Sequence, residues 1–486
     1  MTLLKGHDYP LLLRLLRLAQ LATGRALPSG ITVSMRVPAV QLVKPIYIPA
    51  ALAGLFLILA TPALVRAQYG QFGVPDLPTA ARPERVKKIQ DRYPAQPTVQ
   101  PAFTISLASL EFTVPGNSYL LRKESLVSLD FLDEDRLLFT FHMASGLMSR
   151  GDDNSAEPTP QQIRALVLAL PSGHIESRDT WTVPDRSRYL WMLNDGQFLL
   201  RVSEGLDQGD SQLKMKSSLR LPGKLLWIQM DPGKQFLMAN SLVNATDVQG
   251  EGESSTVAEE TPSPKTDGQK TGEVLVVRTI KRETGEVTHV SQVPWTHQTN
   301  DWPMNAEGYV ERLQQKNGQW TLKFNSNSGK TSLMAGVESK CSQQFSFVSD
   351  NQLLVTTCDP EGGFSLKGVT TQGTLQWKQK LAWNIMWPLV VVGSDGSRFA
   401  RSTLVLKRTI NHYQKQLVGV SDLQGQMVRV FDASDGKIVL EAPLTPIFDN
   451  GGNVAISPSG KRVAIVNGGA IQVFQLPAPA AAPVRH

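Results

Sequence analysis

Six stretches of this chain follow one plan: a short apolar strand, a turn of Asp, Asn, Gly, Ser or Pro, and a second apolar strand. They read VSLDFLDEDRLLFTF from Val127, RYLWMLNDGQFLLRV from Arg188, LLWIQMDPGKQFLMA from Leu225, QQFSFVSDNQLLVTT from Gln343, PLVVVGSDGSRFARS from Pro388 and GNVAISPSGKRVAIV from Gly452. Apolar runs of period two on either side of such a turn are the signal of an antiparallel hairpin. A second kind of hairpin lies between the copies, with Gly173, Gly285, Gly373 and Gly436 at its turns. Glycine supplies the positive φ that a tight reversal needs. Two hairpins in alternation make a four-stranded unit.

Apolar residues close before the first turns are Phe131, Trp191, Met230, Phe347, Val392 and Ile456. Between Met230 and Phe347 there is room for two units, and YVERLQQKNGQWTLKF, with its turn at Asn317-Gly318, supplies the missing one. Seven repeats of about 40–45 residues with four strands each predict an all-β fold, a β-propeller of seven four-stranded blades, over residues 102–476. Such a ring closes when a strand from one end completes the blade at the other. AFTISLASLEFTV (102–114) is the expected partner of the C-terminal strands. Excess length falls in polar loops at 149–162 and 247–272. The second holds six acids, two lysines and almost no large apolar side chain, and reads as a disordered insertion. Residues 477–486 read as a disordered tail. AISPSGKRVAIV resembles the blades of bacterial WD-repeat-like propellers, and TTQGTLQWKQKL and VFDASDGKIVLE resemble quinoprotein-like blades. The resemblance implies a propeller built of such repeats.

The charge of the chain is misleading. Its net +6 lies wholly in residues 1–67, which carry seven Lys or Arg and one acid; the remainder has 42 basic and 42 acidic residues. The basicity is therefore no evidence for a phosphate-binding surface on the body, and no nucleic-acid partner is expected. Within the leader, AALAGLFLILAT (50–61) has the length of a signal-peptide core, and ALVRAQ places Val65 and Ala67 at the small-residue positions of a cleavage site after Ala67. The competing reading takes 46–65 as an uncleaved membrane anchor, the only membrane contact expected. Both readings place the body outside the cytoplasm, periplasmic or secreted. Met35 would give a start of normal signal-peptide length. Residues 68–101, with six prolines from Pro75 to Pro101, read as an extended linker.

Chemistry is sparse. There is no H-E-x-x-H, no Cys-x-x-Cys, no G-x-S-x-G and no glycine-rich phosphate loop. Quinoprotein dehydrogenases use adjacent cysteines, whereas Cys341 and Cys358 lie 17 residues apart, so no cofactor and no metal is expected. The segment VPWTHQTNDWPMN (293–305) offers Trp295, His297 and Trp302 as contacts for a ligand or partner, with packing between blades as the other reading of such aromatics. The two cysteines, the only ones in an exported chain, are expected to form a disulfide. If Ser349-Asp350 is a two-residue turn, 341 falls opposite 358. Placing Phe345 and Phe347 on one face with Leu353 and Val355 instead needs an odd loop and sets the cysteines on opposite faces, unless a bulge near the strand ends restores the match. The expected function is a binding or scaffolding module of the cell envelope, its partner a protein or envelope component. The alternative is an exported propeller enzyme, lactonase-like or glycan-active, working in the central channel.

Overall fold

The computed structural model describes residues 90–112, 127–143, 160–184, 188–203, 205–244, 273–293, 302–359, 363–409, 420–448 and 452–479. These all belong to one compact unit. The expected insertion at 247–272, the leader and most of the linker lie outside them. Among the described residues no helix is long and apolar enough to cross a membrane.

The described chain is nearly all strand and forms seven four-stranded antiparallel sheets. Taken in chain order, blades one to six span 127–183, 190–220, 224–293, 304–339, 344–381 and 385–444, each a simple meander whose first strand is innermost. Blade seven is composite. Its inner three strands lie in 454–475, and its outermost strand is Phe103–Ser106, from the other end of the sequence. Phe103 pairs with Val473 and Ser106 with Ala470. The ring is thus clasped shut as expected, and two sheet edges cover each other.

Each sheet is apolar on both faces because it packs against a neighbour on each side. The buried side chains accordingly form one core per seam. Phe139 and Phe131 of blade one meet Ala464 and Val473 of blade seven. Trp181 of blade one packs with Phe198 of blade two. Trp191 of blade two meets Ile228 and Leu237 of blade three. Val310 and Leu322 of blade four meet Phe347 and Leu353 of blade five. Trp377 of blade five stacks on Phe399 of blade six, and Val428 and Leu440 of blade six meet Val463 and Ile465 of blade seven. Among the described residues, the seam between blades three and four has the smallest buried apolar core. Its fully buried apolar side chains are Met238, Val277 and Met304, flanked by Phe236, Trp302 and Tyr309.

The first turns fall where the repeat places them, except in blade four. There the turn at Asn317-Gly318 joins the second strand to the third. The true first turn follows an innermost strand of only two residues, Met304–Asn305. Two residues show no alternation, so the sequence signal passes to the next hairpin. Blade four itself is present and the count of seven stands.

Residues 91–101 run along blade six. Thr98 N donates to the carbonyl of Glu441 at 2.8 Å, and Glu441 N donates to Thr98 Oγ1 at 2.9 Å. The Asn384 side chain accepts from Asp91 N and donates to its carbonyl, and Asp91 takes a two-pronged ion pair from Arg429 at 2.7 and 2.9 Å.

The Cys341–Cys358 disulfide is present, with Cα atoms 5.6 Å apart. Its geometry differs from a cross-strand pair. Phe345 opposes Val355 and Phe347 opposes Leu353, with a bulge between Phe347 and Ser349. The phenylalanines therefore keep their face, as the odd loop requires. Cys341 precedes the strand Gln344–Ser349 altogether, so the ladder does not dictate its direction. The bulge sits at the turn, not beside the cysteines. The Ser339 hydroxyl accepts from the backbone N–H of both Cys341 and Cys358, at 3.2 and 2.9 Å, and holds the two segments together.

Candidate functional site

The first turns are built from short polar residues that bond their own backbone. Asp133 Oδ1 accepts from Asp135 N at 2.9 Å, Asp395 Oδ1 from Ser397 N at 2.9 Å, and Asn305 Oδ1 from both Glu307 N and Gly308 N. Such Asx turns fix the loop without help from solvent. All seven lie at the same end of the ring, since each follows an innermost strand.

Contacts between turns join them into one face. Pro458 of blade seven accepts from Asp395 N of blade six at 3.2 Å. Glu134 of blade one accepts from Ser459 N of blade seven at 2.7 Å, and its carbonyl accepts from Arg462 at 2.5 Å. Asn305 of blade four donates to the carbonyl of Asp350 in blade five at 2.7 Å. The most informative link is Lys234, in the turn of blade three. Its Nζ donates to the Leu193 carbonyl of blade two at 3.2 Å and to Ser394 Oγ of blade six at 2.6 Å. Blades three and six are nearly opposite in a ring of seven, so this side chain crosses the axis.

The electrostatics follow from that position. Burial pulls the Lys234 ammonium down to about 8, and Arg282 pushes it the same way, while Asp130 opposes them. Asp130, on the innermost strand of blade one, is itself raised by burial, and its hydrogen bond from Ser128 and the charges of Arg188 and Lys234 only partly offset this. Toward the periphery the face is acidic. An open depression of about 570 Å³ on blade one is lined by Asp133, Glu134, Asp135, Glu176, Arg136 and two apolar residues. Arg136 pairs with Asp133 at 2.6 Å, and Arg462 reaches the exposed Asp135 at 3.3 Å.

Of the residues singled out by sequence, Trp295 and His297 lie outside the described residues. Trp302 is half-buried, its ring centroid 5.4 Å from that of Tyr309, and it packs into the seam between blades three and four. Among the described residues no three His, Cys, Asp or Glu converge as metal ligands. Lys234 and Ser394 were not legible as a site: 160 residues separate them, and only ring closure makes them neighbours.

No family model and no curated protein matches the chain. Several solved structures resemble it. Acylaminoacyl peptidase of Pyrococcus horikoshii, uncomplexed, shares 10% identity at a TM-score of 0.42, over 73% of this chain and 52% of that one. The chain therefore spans about half the length of that peptidase. The β-propeller domain of the Trilobed protease from Pyrococcus furiosus shares 9% at 0.39, over 74% and 99%. TolB from Acinetobacter baumannii shares 11% at 0.33, over 66% and 78%. The fold assignment stands on the strand order of the chain itself, which is that of a seven-bladed β-propeller clasped by its own N-terminal strand.

Proposed function

We propose that the chain acts outside the cytoplasm as a binding or scaffolding module of the cell envelope, and that it meets its partner with the first-turn face. The observation that carries this reading is the Lys234 bridge to blades two and six, which ties the turns into a single fixed surface. Preformed loops on a rigid ring lose little entropy when they bind. The exposed carboxylates of Asp135 and Glu176 suit a partner that is locally basic. Export rests on the leader sequence, with its apolar core at 50–61 and small residues at Val65 and Ala67.

Two experiments test the proposal. Expression from Met1 and from Met35, followed by fractionation and N-terminal sequencing, should recover the body outside the cytoplasm with a mature end at Gln68, or at the full length if 46–65 anchors it. Retention in the cytoplasm would end the export reading. Capture of partners from the cell's own envelope fraction should weaken with salt and with the double change Asp135→Lys, Glu176→Lys; capture unaffected by either would remove this face from the interaction. A second reading, an enzyme working at the axis, draws on the same lysine, because displaced titrations cluster at catalytic sites. Lys234→Arg separates the two: an enzyme that depends on a lysine titrating low would lose its activity, and a scaffold, whose turns keep a cation able to donate between blades, would still capture its partner.

A further inference from the structure

We propose that the chain carries a divalent-cation site, suited to calcium, between the first turns of blades three and five, with Asp231 and Asp350 as its carboxylate ligands. Asp231 follows the innermost strand Lys224–Met230 and is 2% exposed. Its Oδ1 accepts from Phe236 N at 2.6 Å, but its Oδ2 is buried with no hydrogen-bond partner. Asp350 follows the innermost strand Gln344–Ser349, and its Oδ1 is likewise buried and unpartnered. The two carboxylates converge. A Cβ placed on Gly233 would lie 3.0 Å from Asp231 Oδ2 and 3.5 Å from Asp350 Oδ2, so both groups face the one side that glycine leaves clear.

A buried carboxylate facing a half-buried one is eased by a positive charge or a proton between them. The nearest lysine in sequence does not supply it, for Lys234 turns away to Leu193 and Ser394. Burial, with the charge of Asp350, pushes the Asp231 carboxyl up, and only backbone hydrogen bonds pull it back. Gln229 lies two residues before Asp231, hence on the same face of the strand, and its Oε1 is also buried and unpartnered. This face of blade three looks into the seam between blades three and four, whose apolar core is the smallest among the described residues. Carboxylate and amide oxygens are donors for a hard cation, and calcium tolerates the irregular geometry that magnesium does not. Two carboxylates place the affinity in the weak range of extracellular modules, with Kd about 10⁻⁴–10⁻³ M.

The test is calorimetry and thermal unfolding of the chelator-treated full chain, titrated with calcium chloride against sodium chloride of equal ionic strength. One saturable site and a saturable rise in Tm are expected. Asp350→Asn and Gly233→Ala should each weaken binding at least tenfold, the first by removing a ligand, the second by filling the side the oxygens face while keeping both charges. Absence of saturable binding to the parent chain would overturn the proposal. So would a calcium response unchanged in both variants, which would assign it to other acids such as those of 247–272. If the two carboxylates share a proton instead, the parent chain will show no calcium response, and Asp350→Asn will alter the acid limb of its stability. Should Asp350→Asn fail to fold, Gly233→Ala and the parent titration still decide.

Discussion

At the scale of single residues, the charges buried in the ring hold the most consequence. Arg398 is fully buried. It donates to Asp432 at 2.9 Å, to the Gly460 carbonyl of blade seven at 2.8 Å and to the Pro477 carbonyl at 2.7 Å. Arg398→Met leaves Asp432 without its cation and two carbonyls without a donor, and should cost about 3–5 kcal/mol, read as a lowered urea midpoint. Lys234 makes a prediction in pH. Its ammonium titrates at about 8 in the folded chain and near its ordinary 10.5 when unfolded. Between those values the unfolded chain holds the extra proton, so stability should rise as pH rises from about 8 to 10.5, by about 1–3 kcal/mol in all. Below that window both states are charged and the burial cost is borne in full. Lys234→Met should flatten this limb of the curve, measured by urea midpoints at several pH values; an unchanged slope would show that the lysine does not titrate low. Neither residue declares itself in the sequence, because partners in other blades decide what each does.

At the scale of elements, legibility followed strand length. Phe131, Trp191 and Ile456 announced their hairpins because each lies in a short apolar run beside a polar turn, and each sits on the strand that its run predicts. Blade four hid its first turn because Met304–Asn305 is too short to alternate, and the buried Asn305 side chain does the work of a longer strand by bonding Glu307, Gly308 and Asp350. The disulfide was legible as a pair but not as a geometry. Its loop is short, 17 residues, so removing it by Cys341→Ser with Cys358→Ser should cost at most about 3 kcal/mol. Because Cys341 precedes the blade, the bridge ties the connection from blade four to the second strand of blade five, and its loss should loosen that seam first. Hydrogen exchange of the double variant checks the location, and thiol counting on unreduced, denatured parent chain checks the bond: two reactive thiols would refute it.

At the scale of the whole molecule, the ring has no terminal blade to spare, since one strand from the start completes the sheet at the end. Deleting 103–112 removes that strand together with Leu107, Leu110 and Phe112, which pack among the side chains of blades one and seven. The expected outcome is loss of cooperative unfolding, with early proteolysis in blade seven and not a mere lowering of Tm.

The clasp also sets how the protein answers to force. Phe103 lies beside Val473, so the two ends of the chain leave the clasp on the same side, and tension between them would unzip its hydrogen bonds one at a time instead of shearing them together. What stands in the way is blade six, which grips both ends: Arg429 holds Asp91 of the incoming chain, and Arg398 holds the carbonyl of Pro477 on the outgoing one. A tether pulled by its termini should therefore yield first at blade six and only then at the clasp. In single-molecule pulling, Asp91→Ala should lower the force of the first event and leave the later ones in place, which makes the one ion pair the mechanical latch of a ring whose closing strand is, by itself, a zip.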